Sequence, residues 1–160
     1  MATHEEEFRE ALFAEHPGTI AVRQDGVRMV VPGTPGDLSA LDSENPEFFD
    51  HNGKALGHIE IQGVVDTPMS CSLFAISNLS KVRGGAYLAV WYLTRHATAT
   101  EFEVQSVNPN TLGHLLKRLG MKWMPGTKNM AGTTREVCAA ARRKCQSHHW
   151  RLREAPAGAS

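Results

Sequence analysis

The sequence is short of cysteine, short of tyrosine and free of long apolar runs, and each shortage narrows what the chain is. A bilayer-spanning helix needs about 20 consecutive apolar residues. No segment approaches that, and the opening ATHEEEFRE is acidic where a secretory leader is basic and then apolar. No membrane partner is expected, and the chain reads as cytoplasmic. Three cysteines, Cys71, Cys138 and Cys145, are too few and too odd a number for a disulfide framework, which agrees with a reducing compartment. Cys-x-x-Cys is absent, as are Gly-x-Ser-x-Gly and a glycine-rich loop ending in Gly-Lys-Ser/Thr. A strong zinc motif, an α/β-hydrolase nucleophile and a nucleotide P-loop are thereby excluded. The two tyrosines, Tyr87 and Tyr92, are the only phenolic proton donors.

What is present suits one soluble domain. The 160 residues are 41% hydrophobic and 21% charged with a formal net charge of zero, enough to bury roughly two thirds of the unfolded surface. A single domain over residues 1–154 is expected, followed by a disordered tail at 155–160. The neutral sum hides a polarity, because residues 1–66 hold 13 of the 17 acidic side chains and residues 117–153 hold 10 of the 17 basic ones. Packing of the two ends against each other is the plainer account, and a nucleic-acid partner for the basic end is the sharper one.

Read along the chain, Thr3 and Glu6 form a capping box ahead of Phe8, Leu12 and Phe13, predicting an amphipathic helix over 4–15 closed by Gly18. Asp25-Gly26 predicts a two-residue hairpin turn that pairs Val22 with Met29 and Ile20 with Val31, and sets Arg23 opposite Arg28. Residues 32–53 lose periodicity and carry Asp37, Asp42, Glu44, Glu47 and Asp50 with no basic residue. They read as a long surface loop anchored by Phe48 and Phe49, able to wall a site and favouring a cationic substrate. In GKALGHIEIQGVV the alternation turns Ile59 and Ile61 one way and His58 and Glu60 the other. SLFAIS is apolar on both sides, as a central strand covered by helices would be.

A basic, glycine-rich bend follows, and then a helix over 86–97 that is apolar all round. Free N–H groups at a helix start attract phosphate oxygens. Phe102 and Val104 mark the next strand. Asn108 then caps a helix with Pro109 at its first position, a Leu112, Leu115, Leu116, Leu119 stripe and Gly120 at its end. Residues 135–155 favour one more helix, with Val137, Ala141, Cys145 and Leu152 on one side.

The spacing Lys81-x-x-Gly84-x-Ala86 resembles the Arg/Gln-x-x-Gly-x-Gly/Ala signature of the GNAT acetyltransferase superfamily, and Ile76 keeps that family's apolar strand position. NPNTLGHLLKRLGMK resembles the superfamily's closing segment, so the likeness runs over residues 56–122. It implies an α/β fold with a mixed, mostly antiparallel sheet flanked by helices, here with an atypical helical C-terminal extension. It implies acetyl-CoA as co-substrate and transfer of the acetyl group to a primary amine, the amine and the oligomeric state unspecified. By resemblance the pyrophosphate is gripped by Lys81, Val82, Arg83, Gly84, Gly85 and Ala86, the pantetheine arm lies beside Ser77 and Asn78, and Asn108 or Asn110 touches the cofactor. Glu60 or His58 is the candidate general base.

Two departures from the pattern support a different reading. Leu116 and Lys117 stand about where the family's acidic Tyr falls, and a polar extension follows Lys122 where two further strands are usual. The alternative is a catalytically inactive GNAT-like structural or interaction module, such as a component of a bacterial virus particle. At the C-terminus, Cys138, Cys145 and His149 share one helix face, but a straight helix cannot wrap ligands around an ion, and no metal site is expected.

Overall fold

In the computed structural model of the chain, which describes residues 18–154 except 34, 35 and 43, the apolar run after Met69 is two strands. β6 (Ser70–Leu73) and β7 (Ala75–Asn78) are separated by Phe74, whose side chain is 55% exposed. β4 (Ala55–Gln62) and β5 (Val65–Asp66) bend at the same level, so one long hairpin is kinked across its width. The kink is enforced at Gly63, where φ is +65° and an added Cβ would meet the Phe74 Cβ at 2.6 Å. The expected single central strand thus changes neighbours halfway. β6 runs parallel to β8 (Glu101–Val104), whereas β7 pairs antiparallel with β4.

Two sheets result. With β1 (Thr19–Arg23), β2 (Arg28–Val30), β3 (Glu47–Phe49) and β11 (Trp150–Leu152), the first has the order β11-β1-β2-β3-β4-β7. With β9 (Lys122–Trp123) and β10 (Met130–Thr133), the second has the order β5-β6-β8-β10-β9. Among the described pairings β6 with β8 is parallel and the rest are antiparallel, so the sheet is mixed and mostly antiparallel, as expected. Helices α1 (Gly85–His96), α2 (Leu112–Lys117) and α3 (Thr134–Ser147) flank it. The helix expected over 4–15 and the tail at 155–160 lie outside the described residues.

The first hairpin is slipped by one residue from its expected register. Ala21 faces Met29 and Val22 faces Arg28, leaving a three-residue turn with Gly26 at φ +90°. Asp25 explains the slip, because its carboxylate accepts from the Val27 N–H at 3.3 Å and from Arg23 Nε and Nη2 at 2.9 and 2.8 Å. That arrangement separates Arg23 from Arg28. Arg23 lies over the Trp150 ring and Arg28 over the Phe49 ring.

Residues 32–53 are more ordered than a surface loop. Leu38–Asp42 forms a 3-10 turn that buries Leu38 and Leu41, and Asn45 ties it to β4 by donating to the carbonyls of Leu41 and Ile61. β3 follows as an interior strand between β2 and β4, which a stretch without apolar alternation does not announce. Its Phe48 is fully buried, a deeper position than an anchor beneath a loop.

α1 is the core of the molecule, with residues 85–94 all buried. α3 lies against it through Val137, Ala141 and Cys145, the face expected from sequence. The C-terminal reading needs correction beyond that face. α3 stops at Ser147, His149 takes φ +68°, and the chain returns as β11 to extend the sheet beside β1. Leu152 is buried from a strand, not a helix. The polar stretch after Lys122 likewise forms β9 and β10, supplying two strands at the place where the sequence showed only polarity.

α2 begins at Leu112 with Thr111 as its N-cap, three residues after the expected start. Asn108 still caps the turn ahead of it, accepting the Asn110 N–H on its side chain and the Gly113 N–H on its carbonyl. Gly120, at φ +85°, closes the helix as expected, with Gly120 N–H bonded to Lys117 O and Met121 N–H to Leu116 O.

α1 meets the sheet most tightly at Gly85, where an added Cβ would lie 2.8 Å from Phe48 Cζ. Gly85→Ala should therefore lower stability by about 1–3 kcal/mol. Adding Phe48→Leu to that variant should recover part of the loss, and chemical denaturation of the two variants checks both.

Candidate functional site

The change of neighbours at Phe74 leaves one strand edge open. β6 and β8 run together as far as the bond from Gln105 N–H to Leu73 O at 2.9 Å. Ser106 then takes φ +52° and the chain swings to the β9–β10 turn, where Val107 N–H donates to Lys128 O. Among the described residues β7 is thus bonded on its β4 side alone. Leu79 N–H donates to His58 O, so the alternation of an antiparallel ladder turns the N–H and C=O of Ile76 and Asn78 away from β4. They face a cleft of about 370 Å³. Ile76, Ser77 and Asn78 form one wall, Thr111, Leu112 and Leu115 the other, and Gly84 and Ala86 its head.

The loop at that head is built by its own side chains. Asn78 Oδ1 accepts from Ser80 N–H at 3.0 Å and Ser80 Oγ–H at 2.6 Å, its Nδ2 donates to Val82 O at 2.9 Å, and Ser80 Oγ accepts from Val82 N–H at 3.1 Å. Lys81 N–H donates to Leu56 O, and Gly57, at φ +103°, lets the loop pass where a Cβ would lie 2.7 Å from Ser80 Cα. Val82 is buried beneath the loop. Lys81 and Arg83 are exposed, and their side chains make no hydrogen bond or ion pair among the described residues. Gly84, at φ +77°, caps α1 without a side-chain bond, and no acidic residue sits in the first turn. The positive end of the helix is left without an internal counter-charge.

Of the residues singled out from sequence, Ser77, Asn78, Gly84 and Ala86 meet in this cleft, whereas Lys81 and Arg83, in the loop that leads to Gly84, are not among its lining residues. Gly85 points into the core and Val82 is a plug. Asn108 and Asn110 are not among the lining residues, and the Asn108 side chain is occupied in its own turn. Thr111, Leu112 and Leu115 were missed as site residues. Their signal was the leucine stripe of α2, of which Leu116 and Leu119 are buried while Leu112 and Leu115 remain half-exposed toward the cleft.

His58 and Glu60 share the sheet face opposite Ile59 and Ile61, as the alternation predicted, but they do not share a cavity. Glu60 faces Ser77 across the β4–β7 ladder and accepts from Gln62 Nε2 at 3.1 Å. His58 faces Glu47 and lines a second concavity of about 650 Å³ with Glu44, Asn45 and Glu47 beside apolar Val30, Pro32 and Phe49. Neither tyrosine lines the cleft. The Tyr92 hydroxyl accepts the Gly36 N–H at 2.7 Å, and Tyr87 is buried against His148.

Compared with solved structures, the chain is similar to YhbS from Escherichia coli, a GNAT family N-acetyltransferase in complex with CoA, at a TM-score of 0.40 and 12% identity, over 74% of this chain and 85% of that one. It is also similar to a mutant of the toxin AtaT bound to the C-terminus of the antitoxin AtaR and acetyl-CoA, at a TM-score of 0.38 and 11% identity, over 63% and 76%. No family model matches the sequence, and a search of curated proteins returns no match. No helix among the described residues is long and apolar enough to cross a membrane.

Cys71 and Cys145 are buried in the core. Burial pushes the Cys145 thiol up to about 12, and burial with the nearby Asp66 carboxylate does the same to Cys71. Among the described residues no three His, Cys, Asp or Glu side chains cluster as a metal site would require. Arg142 is held by the Glu154 carboxylate at 2.9 and 3.2 Å, and Arg95 donates to the Glu154 carbonyl at 2.6 Å, which ties the segment after β11 to α1 and α3. At pH 8 a thiol reagent should label Cys138 of the folded chain and spare Cys71 and Cys145, as read by peptide mass spectrometry. A thiol pKa raised on folding means that the folded state keeps protons which the unfolded state releases above its ordinary 9.0. Stability should therefore be full below pH 9 and fall as pH rises toward about 12.

Proposed function

We propose that the chain binds acetyl-CoA in the cleft between β7 and α2 and transfers the acetyl group to a primary amine. One observation carries the reading: an unpaired strand edge runs directly into an uncompensated helix start flanked by two unpartnered cations. An extended, amide-bearing arm ending in a pyrophosphate fits that sequence of groups. The arm's amides match the free N–H and C=O of Ile76 and Asn78, its methylenes lie against Leu112 and Leu115, and the diphosphate meets Lys81, Arg83 and the backbone around Gly84. The spacing of Lys81, Gly84 and Ala86, which resembles the GNAT signature, supports the same assignment. When bound, acetyl-CoA supplies an activated thioester, and the remaining chemistry falls to the chain's own groups.

The reading assigns the proton of the attacking amine to Glu60, whose support is that it pairs across the ladder with Ser77 of the cleft wall. The concavity of Glu44, Glu47 and His58 on the same sheet face suits a cationic acceptor approaching that wall. α2 carries no tyrosine, so the proton returned to the leaving group comes from water in the open cleft. A second reading, binding without transfer, is favoured by one observation: Glu60 lines neither concavity. The absence of a tyrosine from α2 supports it too, whereas the polar extension no longer does, since it forms β9 and β10.

Calorimetry with acetyl-CoA should give binding in the micromolar range, and no heat at millimolar ligand would sink the reading. Gly84→Asp should bind at least about tenfold more weakly by setting a carboxylate beside the phosphates. Glu60→Gln should still bind acetyl-CoA but lose about 100-fold or more in turnover with a small primary amine. Full turnover by that variant would remove Glu60 as the base. Binding by the wild-type chain with no transfer to any primary amine would establish the second reading.

A further inference from the structure

Beyond the head of the cleft, a line of rings leads away from the phosphate loop. Gly84 presents its open side to Tyr87, whose Cδ2 would lie 3.7 Å from an added Cβ. The buried Tyr87 ring stacks on the exposed imidazole of His148, with centroids 6.3 Å apart and planes 21° from parallel. α3 and α1 therefore run in opposite directions, the end of α3 meeting the start of α1. Past His148 lies a concavity of about 420 Å³, bounded by the β1–β2 turn at Arg23, Gln24 and Asp25 and by His148 and His149. Its volume falls in the roughly 300–1,000 Å³ range of small-molecule sites.

The lining is polar but almost uncharged. Arg23 and Asp25 neutralise each other in a two-pronged pair, while the side chains of Gln24 and His149 make no hydrogen bond among the described residues. The turn is fixed in place by the bond from Gln24 N–H to His149 O at 3.2 Å. A free amide and two imidazoles around an apolar-faced ring stack form a surface for a flat heteroaromatic ligand carrying its own donors and acceptors. A bare anion is a poorer match, because the carbonyl end of α3 is negative there.

We propose that this concavity holds the purine of the CoA nucleotide, with adenine lying on the outer face of His148 and its edge reading Gln24. The proposal rests on the acetyl-CoA reading, since the diphosphate at Lys81 and Arg83 is what places the adenosine within reach of Tyr87 and His148. It assigns the C-terminal elements of the chain, which the resemblance to the acetyltransferases does not cover, to cofactor binding.

The test is calorimetry of the full chain with four probes: acetyl-CoA, S-acetylpantetheine, adenosine 3′,5′-bisphosphate and ATP. His148→Ala should weaken acetyl-CoA and the bisphosphate by at least about fivefold, the loss expected when one base gives up a stacking partner, and leave S-acetylpantetheine unchanged. His148→Phe should restore the stack, and Gln24→Ala should weaken acetyl-CoA and the bisphosphate without touching S-acetylpantetheine. Circular dichroism confirms that each variant is folded. Acetyl-CoA binding that is equal in the wild type and in His148→Ala overturns the purine site while leaving the acetyl-CoA reading intact. Binding of ATP as tight as that of the bisphosphate overturns the assignment to CoA in favour of a general adenine site. Wild-type chain that takes up neither thioester sinks the acetyl-CoA reading and this proposal with it.

Discussion

Backbone hydrogen-bond satisfaction at β7 is the constraint on which the rest of the structure depends. A strand inside a sheet has partners on both sides, and a buried amide without one costs about 1–3 kcal/mol. Here β6 has β5 and β8, but after the kink at Phe74 the same chain passes from β5 to β4 and loses β8. The chain after Val104 does not wander away. Ser106, the Val107 bond to Lys128 and the Asn108 turn hold α2 across from β7 at cleft distance. The open edge is thus part of the fold, maintained by elements that have their own hydrogen bonds satisfied.

α1 translates that edge into a site. It is sandwiched between the sheet and α3 with ten successive buried residues, so its position is set by packing along its whole length and not by its ends. The start of the helix needs no capping side chain because it is pinned from below by Gly85 against Phe48. An ordinary helix would place Ser, Asp or Asn at the cap and satisfy its own N–H groups. Gly84 offers no such side chain, and the start is closed in part by its own backbone, Gly85 N–H bonding to Val82 O and Tyr87 N–H to Gly84 O. Stability and binding draw on different atoms of the same residues.

How far this was legible from sequence differs by element, for physical reasons. Period-two alternation in β4 correctly divided Ile59 and Ile61 from His58 and Glu60, because a half-buried strand writes its two faces into the sequence. The apolar face of α3 and the Gly120 stop were legible for the corresponding helical reasons. β3 was not, since three residues with one buried aromatic carry no periodicity. The hairpin register turned on the Asp25 side chain, which competes with the backbone for the Val27 N–H in a way that the dipeptide Asp-Gly does not specify. SLFAIS read as one strand because its apolar character is continuous, while the break depends on Gly63 in the facing strand. In the site, Gly84 and Ala86 were visible through spacing, but Asn78 is a builder of the loop and Thr111 a wall of the cleft. Those roles depend on tertiary proximity that spacing does not encode.

The loop between β7 and α1 shows why a site of this kind tolerates so few direct contacts. Flexible loops pay for ligand binding in lost conformational entropy, of the order of 1–2 kcal/mol for each residue ordered. Asn78 and Ser80 remove that cost in advance by closing four hydrogen bonds within five residues, and Lys81 N–H adds a fifth tie to Leu56 in β4. On the proposed acetyl-CoA reading, the exposed cations at 81 and 83 stay solvated until the diphosphate binds. Their contribution is therefore electrostatic and salt-dependent, whereas the backbone's is directional and fixed. On that reading Lys81 needs to act only as a point charge on a preformed loop, without bidentate geometry. The shape of the site is carried by Gly57, Gly84 and Asn78, and the charge by side chains that have no structural work to do.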